Sequence, residues 1–393
     1  MTGPIAVEPG GTLGVLGGGQ LGRMFVHAAQ RLGYRCSVLD PDADSPAGRV
    51  AESHIRADYL DDAGLTRLAD ETTAITTEFE NVPAQALRRL ASRRPVAPAG
   101  DAVAICQDRA LEKAHFAACG VPCAPYHVID SEAALAAAPD ALLPGILKTS
   151  RLGYDGKGQR GVRDRAALVQ AWRDLRSVPC VLEQRLALAC EISVVLARAV
   201  DGRQVHFAPL QNTHREGILA LTQWPAPDVA PSLQAQAVDA AMAIAASMRY
   251  VGVLCVEFFV LADGRLCVNE MAPRPHNSGH CTIDASDCSQ FELQVRTLAG
   301  LPLATPRAHS AAAMLNLLGD LWLVADSSVR EPPWREVLAL PGVHLHLYGK
   351  RAARGGRKMG HLTVTAATPE QALQTTREAA RRLALAWPLA VTA

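Results

Sequence analysis

The chain has 393 residues, 49% hydrophobic and 20% charged, and its 39 Lys+Arg balance 39 Asp+Glu to a net charge of zero. That length supports two or three domains with buried cores, and the balance excludes a general polyanion or membrane-surface binder, so any ligand charge must be met locally. No apolar run reaches the ~18 residues of a membrane span, MTGPIAVEPGGT lacks the order of a secretory signal, and ten cysteines without C-x-x-C spacing point to free, mostly buried thiols in a reducing cytoplasm.

Residues 12–105 alternate apolar strands with amphipathic segments. TLGVL, CSVLD, AITTEF and PVAPA are the expected strands of a parallel sheet with crossover helices. At the start, LGVLGGGQLG (13–22) sets Gly17, Gly19 and Gly22 in G-x-G-x-x-G order, and Asp40 ends the next strand where a dehydrogenase would hold a ribose. A nicotinamide enzyme, however, would explain only these first forty residues. QDRALEKAHFAACG (107–120) predicts a helix stopped by Gly120, with Pro122 just beyond, and opens a second unit.

GILKT then runs into SRLGYDGKGQRGV, where Gly153, Gly156, Gly158 and Gly161 space out Lys157 and Arg160. Glycines let backbone N–H groups approach phosphate oxygens and lysine adds charge, although a plain polar hairpin reads the same way. A helix is expected around 164–175, followed by the strand CVLEQRL. Glu183 and Gln184 after that strand fit a hinge that reads an adenine edge, as they fit many loops. Strands EISVVLARAV and VHFAPL, a proline-rich loop at 225–231 and an Ala-rich helix at 230–249 follow.

The richest segment is VGVLCVEFFVLADGRLCVNEMAPRPHNSGH (251–280). Asp263-Gly264 between apolar runs signals a hairpin, and a turn centred on that pair sets Glu257 opposite Glu270, with Cβ atoms about 5 Å apart. Two carboxylates opposed among Cys255, Phe259, Leu266 and Val268 repel unless a cation lies between them, and oxygen-only ligands suit Mg²⁺. A one-residue bulge would break that register, and a solvated acidic face is the plainer alternative. Arg274, His276, Asn277, Ser278 and His280 follow at once. They lack a third ligand at zinc spacing and read as an anion site beside the cation. After about residue 300 the chain turns to short strands and a basic loop, GKRAARGGRKMGH (349–361), with Lys350, Arg357, Lys358 and His361. Without aromatic partners this loop suits a small phosphate ligand or bare solvent better than nucleic acid. A helix at 369–384 closes the chain.

Together these segments resemble the ATP-grasp superfamily: an α/β unit, a helix carrying Asp108, Arg109 and Lys113 as D-R-x-x-x-K, a lysine strand with a glycine loop, a hinge and a late acidic hairpin, in that order. GGGQLGRM, TTEFENVP, KTSRLGYDGKGQ, NEMAPRPHNSGH and GRKMGHLTV are similar to the 5-(carboxyamino)imidazole ribonucleotide synthases of purine biosynthesis, from about residue 12 to the end. GYDGKGQ and APRPHNSGH are the segments specific to that branch. The resemblance implies an α/β and α+β chain: a Rossmann-like pre-ATP-grasp domain at 1–106, an ATP-grasp domain at 107–300 with a lid at about 124–187, and a small C-terminal domain at 301–393. It implies a cytoplasmic, homodimeric ligase that carboxylates 5-aminoimidazole ribonucleotide with ATP and bicarbonate through carboxyphosphate, with no nucleic-acid or membrane partner.

Residue by residue, the resemblance implies ATP contacts at Arg109, Lys148, Gly153, Tyr154, Asp155, Gly156, Lys157, Gly158, Gln159, Glu183, Gln184, Arg185, Leu186, Glu191, His214, Asn269 and Glu270. It implies Mg²⁺ or Mn²⁺ on Glu257 and Glu270. It sets the ribonucleotide near Gln20, Leu21, Glu78, Tyr154, Asp155, Arg274, His276, Asn277, Ser278, Lys350, Arg357 and Lys358. Lys148 is expected to offset phosphate charge in catalysis, and Arg274 with His276 and Asn277 to grip bicarbonate and carboxyphosphate. The glycine turn then serves a ribonucleotide at a helix N-terminus, not a dinucleotide. The competing readings are a formate-using glycinamide ribonucleotide transformylase, a non-catalytic binding module and a nucleotide-binding regulator without turnover.

Overall fold

The computed structural model describes residues 6–153, 157–323 and 329–389 and arranges them around three sheets. The first is parallel, in the order Ser53–Ile55, Arg35–Leu39, Thr12–Leu16, Ala74–Thr77. Its strands are apolar on both faces because helices cover both. Met24, Phe25 and Val26 of the helix Gln20–Arg31 pack with Phe291 and Val295 of the helix Gln290–Ala299, while Leu65, Leu68, Leu87 and Leu90 close the other side. PVAPA is not the strand expected: only Val96 bridges to Ile75, and Ser53–Ile55 is the fourth strand instead. Pro95 and Pro98 supply no N–H, so that segment cannot extend the ladder.

The second sheet is antiparallel, in the order Tyr126–Ile129, Cys180–Gln184, Gly145–Thr149, Gln159–Val162. The glycine-rich loop is therefore the connection of a hairpin that pairs Lys148 with Gln159. Period-2 alternation sends Leu147 and Leu182 into a core with Leu168 and Trp172, and their neighbours Lys148 and Glu183 to the opposite face. The helix Arg109–Ala118 that precedes this sheet is capped by Asp108, which accepts the Ala110 N–H at 3.0 Å, and Gly120 follows it at φ +69°.

The third sheet has nine strands. Its path runs Leu266–Ala272, Gly252–Leu261, Leu188–Arg198, Leu210–Arg215, Ile218–Trp224, Ala311–Leu318, Lys358–Ala366, Val343–Leu347, with Gln204–His206 added beside Leu188–Arg198. The strands beyond residue 300 thus continue the same sheet. In Leu188–Arg198, Ile192, Val194 and Leu196 face the helix Pro231–Ser247, while Val195 and Ala197 face the other side. Alternation puts Glu191 and Ser193 on that second face, under the loop that follows the acidic hairpin. All ten cysteines are free thiols, and among the described residues no helix is long and apolar enough to cross a membrane.

Candidate active site

Glu257 and Glu270 do stand opposite each other, but by a different route from the one the sequence suggests. The turn spans three residues: Leu261 and Arg265 bracket it, and Gly264 sits at φ +83°. Phe258–Val268 and Val260–Leu266 therefore pair one residue out of the expected register. A bulge between Glu257 and Phe258 leaves Asn269 as the extra residue and restores Glu257 to Glu270. Each acid has its own cation. Glu257 Oε1 lies 2.9 Å from His276 Nε2, and Arg109 donates to Glu270 Oε2 at 2.9 Å. Burial raises the Glu257 carboxyl, but His276 and His214 outweigh it and hold it below the usual carboxylate range. Beside Glu270, Asn269 Oδ1 is buried without a hydrogen-bond partner, so three side-chain oxygen sources suited to a hard divalent cation are drawn from this one hairpin. Glu191 and His214, 3.0 Å apart, bring a nitrogen to the same neighbourhood, with Glu191, His214 and Glu257 donor atoms all within 4.8 Å of one another.

A crevice of about 470 Å³ opens between the second sheet and the acidic hairpin, lined by Ala124, Ile146, Lys148, the hinge Glu183–Leu186 and Phe259. At its wall the Glu183 carboxylate lies between two lysines, 3.1 Å from Lys113 Nζ and 2.9 Å from Lys148 Nζ. Burial alone would raise Glu183, but Lys148 and Lys113 hold it down at about 2. Apolar Ala124, Ile146, Leu186 and Phe259 line this slot beside the charged Lys148, a combination suited to a small organic ligand that carries charge.

The larger cleft, about 760 Å³, is lined by both hairpin acids, by Arg109, Arg274, His276 and Asn277, by Gln20, Leu21 and Glu78 from the first unit, and by Lys350, Arg357 and Lys358. It also takes in Gly153, Lys157 and His214. Arg274 donates to Glu80, tying the loop to the first unit; burial would raise Glu80, and Arg274 brings it to about 2. Both amide atoms of Asn277 are buried without a partner. Lys350 Nζ donates to Lys358 O and Arg357 to Ala352 O, which folds the basic loop over the cleft. Ser278 is fully buried beneath it. Gly158 has φ +73°, and Tyr154, Asp155 and Gly156 lie outside the described residues.

The glycine turn carries a protein carboxylate where the sequence suggests a ligand anion. Glu78 accepts the N–H groups of Gly19 (3.0 Å) and Gly22 (3.1 Å), and Asp40 accepts that of Gly18 at 2.6 Å. A Cβ on Gly19 would meet Glu78 Oε1 at 2.5 Å. These glycines make room for Glu78 and Asp40, so the fingerprint reports a close approach without naming what approaches.

Three residues that the sequence does not single out shape the site. Glu112 accepts the Met271 N–H at 2.6 Å and lies within electrostatic reach of Arg109 and Glu270; burial pushes its carboxyl up to about 8. Glu80 anchors Arg274. Gln290, fully buried, accepts the His276 N–H and donates to His276 O, both at 2.8 Å, and so clamps the donor loop. Their partners lie 14 to 194 residues away, beyond the reach of any local pattern.

Residues 11–107 match the model of the ribonucleotide synthetase preATP-grasp domain, 114–291 the ATP-grasp domain, and 312–375 the phosphoribosylaminoimidazole carboxylase C-terminal domain. The chain is 44% identical over 359 residues to the N5-carboxyaminoimidazole ribonucleotide synthase of Pseudomonas aeruginosa, covering 90% of this chain and 94% of that protein. Its fold is similar to an ADP complex of N5-carboxyaminoimidazole ribonucleotide synthetase, with TM-score 0.89, 36% identity, and 95% and 97% of the two chains covered. The Aspergillus clavatus synthase in complex with ADP and 5-aminoimidazole ribonucleotide superposes with TM-score 0.86 at 30% identity, over 95% of this chain and 98% of that one.

Proposed function

The chain belongs to the N5-carboxyaminoimidazole ribonucleotide synthases, ATP-dependent ATP-grasp ligases of purine biosynthesis, and from that premise we propose that it carboxylates the exocyclic amine of 5-aminoimidazole ribonucleotide with bicarbonate and ATP. One observation carries the reading. A single cleft is lined by the acidic hairpin, by Arg274, His276 and Asn277, and by the basic loop, and a second crevice, with the hinge residues and Lys148, offers room for the base end of a nucleotide. The triphosphate end, a small oxyanion and a phosphorylated amine can then meet in one cleft.

In this reading a bicarbonate oxygen attacks the γ-phosphorus and ADP leaves. The amine nitrogen then attacks the carboxyl carbon of carboxyphosphate, phosphate leaves, and the nitrogen loses a proton. Phosphoryl transfer asks for alignment and charge compensation more than covalent help. Lys148 offsets phosphate charge, and Arg274 and the unpartnered Asn277 amide grip the carboxyl oxygens. Glu257 and Glu270, with Asn269 beside them, would hold Mg²⁺ or Mn²⁺, which would supply charge neutralisation for phosphoryl transfer. Carboxyphosphate exposed to water hydrolyses, so turnover requires that water be kept from the cleft. Lys350, Arg357 and Lys358 take the phosphate of the ribonucleotide, and Gln20 and Glu78 its sugar.

The test is ADP release with Mg²⁺, ATP and bicarbonate, with and without 5-aminoimidazole ribonucleotide. Strong stimulation by the ribonucleotide, with formation of the carbamate, is the expected result. ADP that forms equally without it, or only with formate and glycinamide ribonucleotide, would overturn the substrate assignment.

A further inference from the structure

His280 lies at the end of the donor loop, and its ring is held on several sides. Phe291, Tyr348 and His361 surround it, with ring centroids 5.6, 6.3 and 4.8 Å away, and the residue is 1% exposed. Its Nδ1 lies 3.0 Å from Gln290 Nε2, and the residue lines the large cleft but not the hinge crevice.

The backbone of His276 fixes the direction of the Gln290 contact. Gln290 Oε1 accepts the His276 N–H and Gln290 Nε2 donates to the His276 carbonyl, both at 2.8 Å. A flipped amide would set N–H against N–H and oxygen against oxygen, so the two ends of the amide are told apart by partners whose own roles are fixed. The second amide proton of Gln290 then goes to His280 Nδ1, which must accept it. The ring therefore carries its one proton on Nε2, since a doubly protonated ring would face Gln290 donor to donor. Gly279 makes the clamp possible: a Cβ there would meet Gln290 Oε1 at 2.5 Å. Burial, and then the charges of His276, His346, Lys358 and Arg274, act in the same sense and hold the ring well below the usual histidine range.

The surroundings of the ring indicate what the Nε2–H meets. Lys358 comes from the basic loop and Arg274 from the donor loop, and both line the same cleft as His280. In the reaction proposed above the ligand that runs between those two cations is the ribonucleotide, whose sugar oxygens and ring nitrogen are uncharged acceptors. A neutral N–H serves such atoms without adding another charge to a wall already rich in cations. We propose that His280 is a binding residue for the ribonucleotide, a neutral donor through Nε2 that Gln290 orients. The identity of the ligand rests on the proposed reaction; the position of the ring proton does not.

The experiment labels the histidine rings and glutamine side chains of the full chain with ¹⁵N and reads the ring nitrogens. The His280 signals are identified by their loss in His280→Gln or, should that variant not fold, by the coupling that Nδ1 shares with the Gln290 amide across their hydrogen bond. The expected result is a protonated Nε2 and an unprotonated Nδ1. Adding 5-aminoimidazole ribonucleotide alone should shift the Nε2 signal, and adding Mg²⁺-ATP alone should leave it in place. In kinetics, His280→Asn keeps an acceptor for Gln290 but withdraws the donor from the cleft. KM for the ribonucleotide should rise about 10-fold or more while KM for ATP stays within about twofold. His280→Gln, whose amide nitrogen reaches farther toward the cleft, should recover much of that rise. A ring protonated on Nδ1, a His280→Asn enzyme with unchanged ribonucleotide KM, or a rise in KM for ATP or bicarbonate instead overturns the proposal. Should the variants fail to fold, the parent spectrum and its response to the ribonucleotide decide. Ribonucleotide that drives ADP release yet leaves the His280 signals unmoved sinks this inference and spares the reaction. A parent enzyme whose ADP release ignores the ribonucleotide sinks the reaction and the ligand assignment together, and leaves the ring proton to its own spectrum.

Discussion

Glu257 and Glu270 are cross-strand neighbours whose carboxylates are each engaged by a different cation, His276 for one and Arg109 for the other, at 2.9 Å in both cases. Directly opposed like charges destabilise a sheet, so the pairing persists through these partners. Glu270→Gln keeps the acceptor for Arg109 but removes the charge that pairs with Arg109 and that the proposed divalent cation would use. The variant should fold and lose turnover on the order of 100-fold or more. ADP release at ordinary Mg²⁺ measures it, and a near-normal rate would remove Glu270 from the metal site.

Glu183 is 4% exposed at its side chain and is shared by two buried lysines. Glu183→Gln leaves both ammonium groups without their counter-charge, so it should cost about 3–5 kcal/mol, read as a lower urea midpoint. With the carboxyl held at about 2 against 4.5 in the unfolded chain, the wild-type contribution is complete above pH 4.5 and is lost as the pH falls toward 2. The gap between wild type and variant should therefore narrow on acidification. A gap that stays constant from pH 6 to pH 3 would contradict the paired geometry.

What was legible in the sequence is what local chemistry controls. Asp263-Gly264 announces its hairpin, Gly120 its helix end, and the alternation in GILKT and CVLEQ sends Lys148 and Glu183 to one face. The opposition of Glu257 and Glu270 is legible too, yet two deviations cancel to produce it. The turn is one residue longer than assumed, and the bulge at Asn269 repays the difference. Glu80, Glu112 and Gln290 were not legible, because a strand or helix pattern shows which face a side chain takes and not which distant group it meets there. The glycine fingerprint misleads for a related reason: close approach of a carboxylate and of a phosphate select the same small residues.

Gly19 tests that last point. An added methyl would sit 2.5 Å from Glu78 Oε1 and 2.8 Å from Oε2, at a backbone φ of −71° that alanine accepts without strain. Gly19→Ala should therefore destabilise by about 1–3 kcal/mol through this collision alone. Glu78→Ala removes the colliding atoms at the cost of two N–H partners. The double variant should then be less destabilised than the sum of the single ones, a coupling readable from thermal or urea melts. Strict additivity would mean that Gly19 is needed for something other than room for Glu78.

Glu112 makes the opposite pH prediction from Glu183. Burial and the nearby Glu270 push it up, Arg109 and the Met271 N–H pull it down, and the balance leaves it at about 8 against 4.5 in the unfolded chain. Between those values the folded protein holds a proton that the unfolded chain has released. Stability therefore falls as the pH rises through this window, by on the order of 3 kcal/mol from this group. Glu112→Gln keeps an acceptor for Met271 and cannot ionise. Unfolding free energies at pH 5, 6, 7 and 8 should show a flatter profile for the variant, which overtakes wild type toward pH 8. Parallel profiles would mean that Glu112 is ionised in the folded enzyme and that Arg109 carries both carboxylates at once.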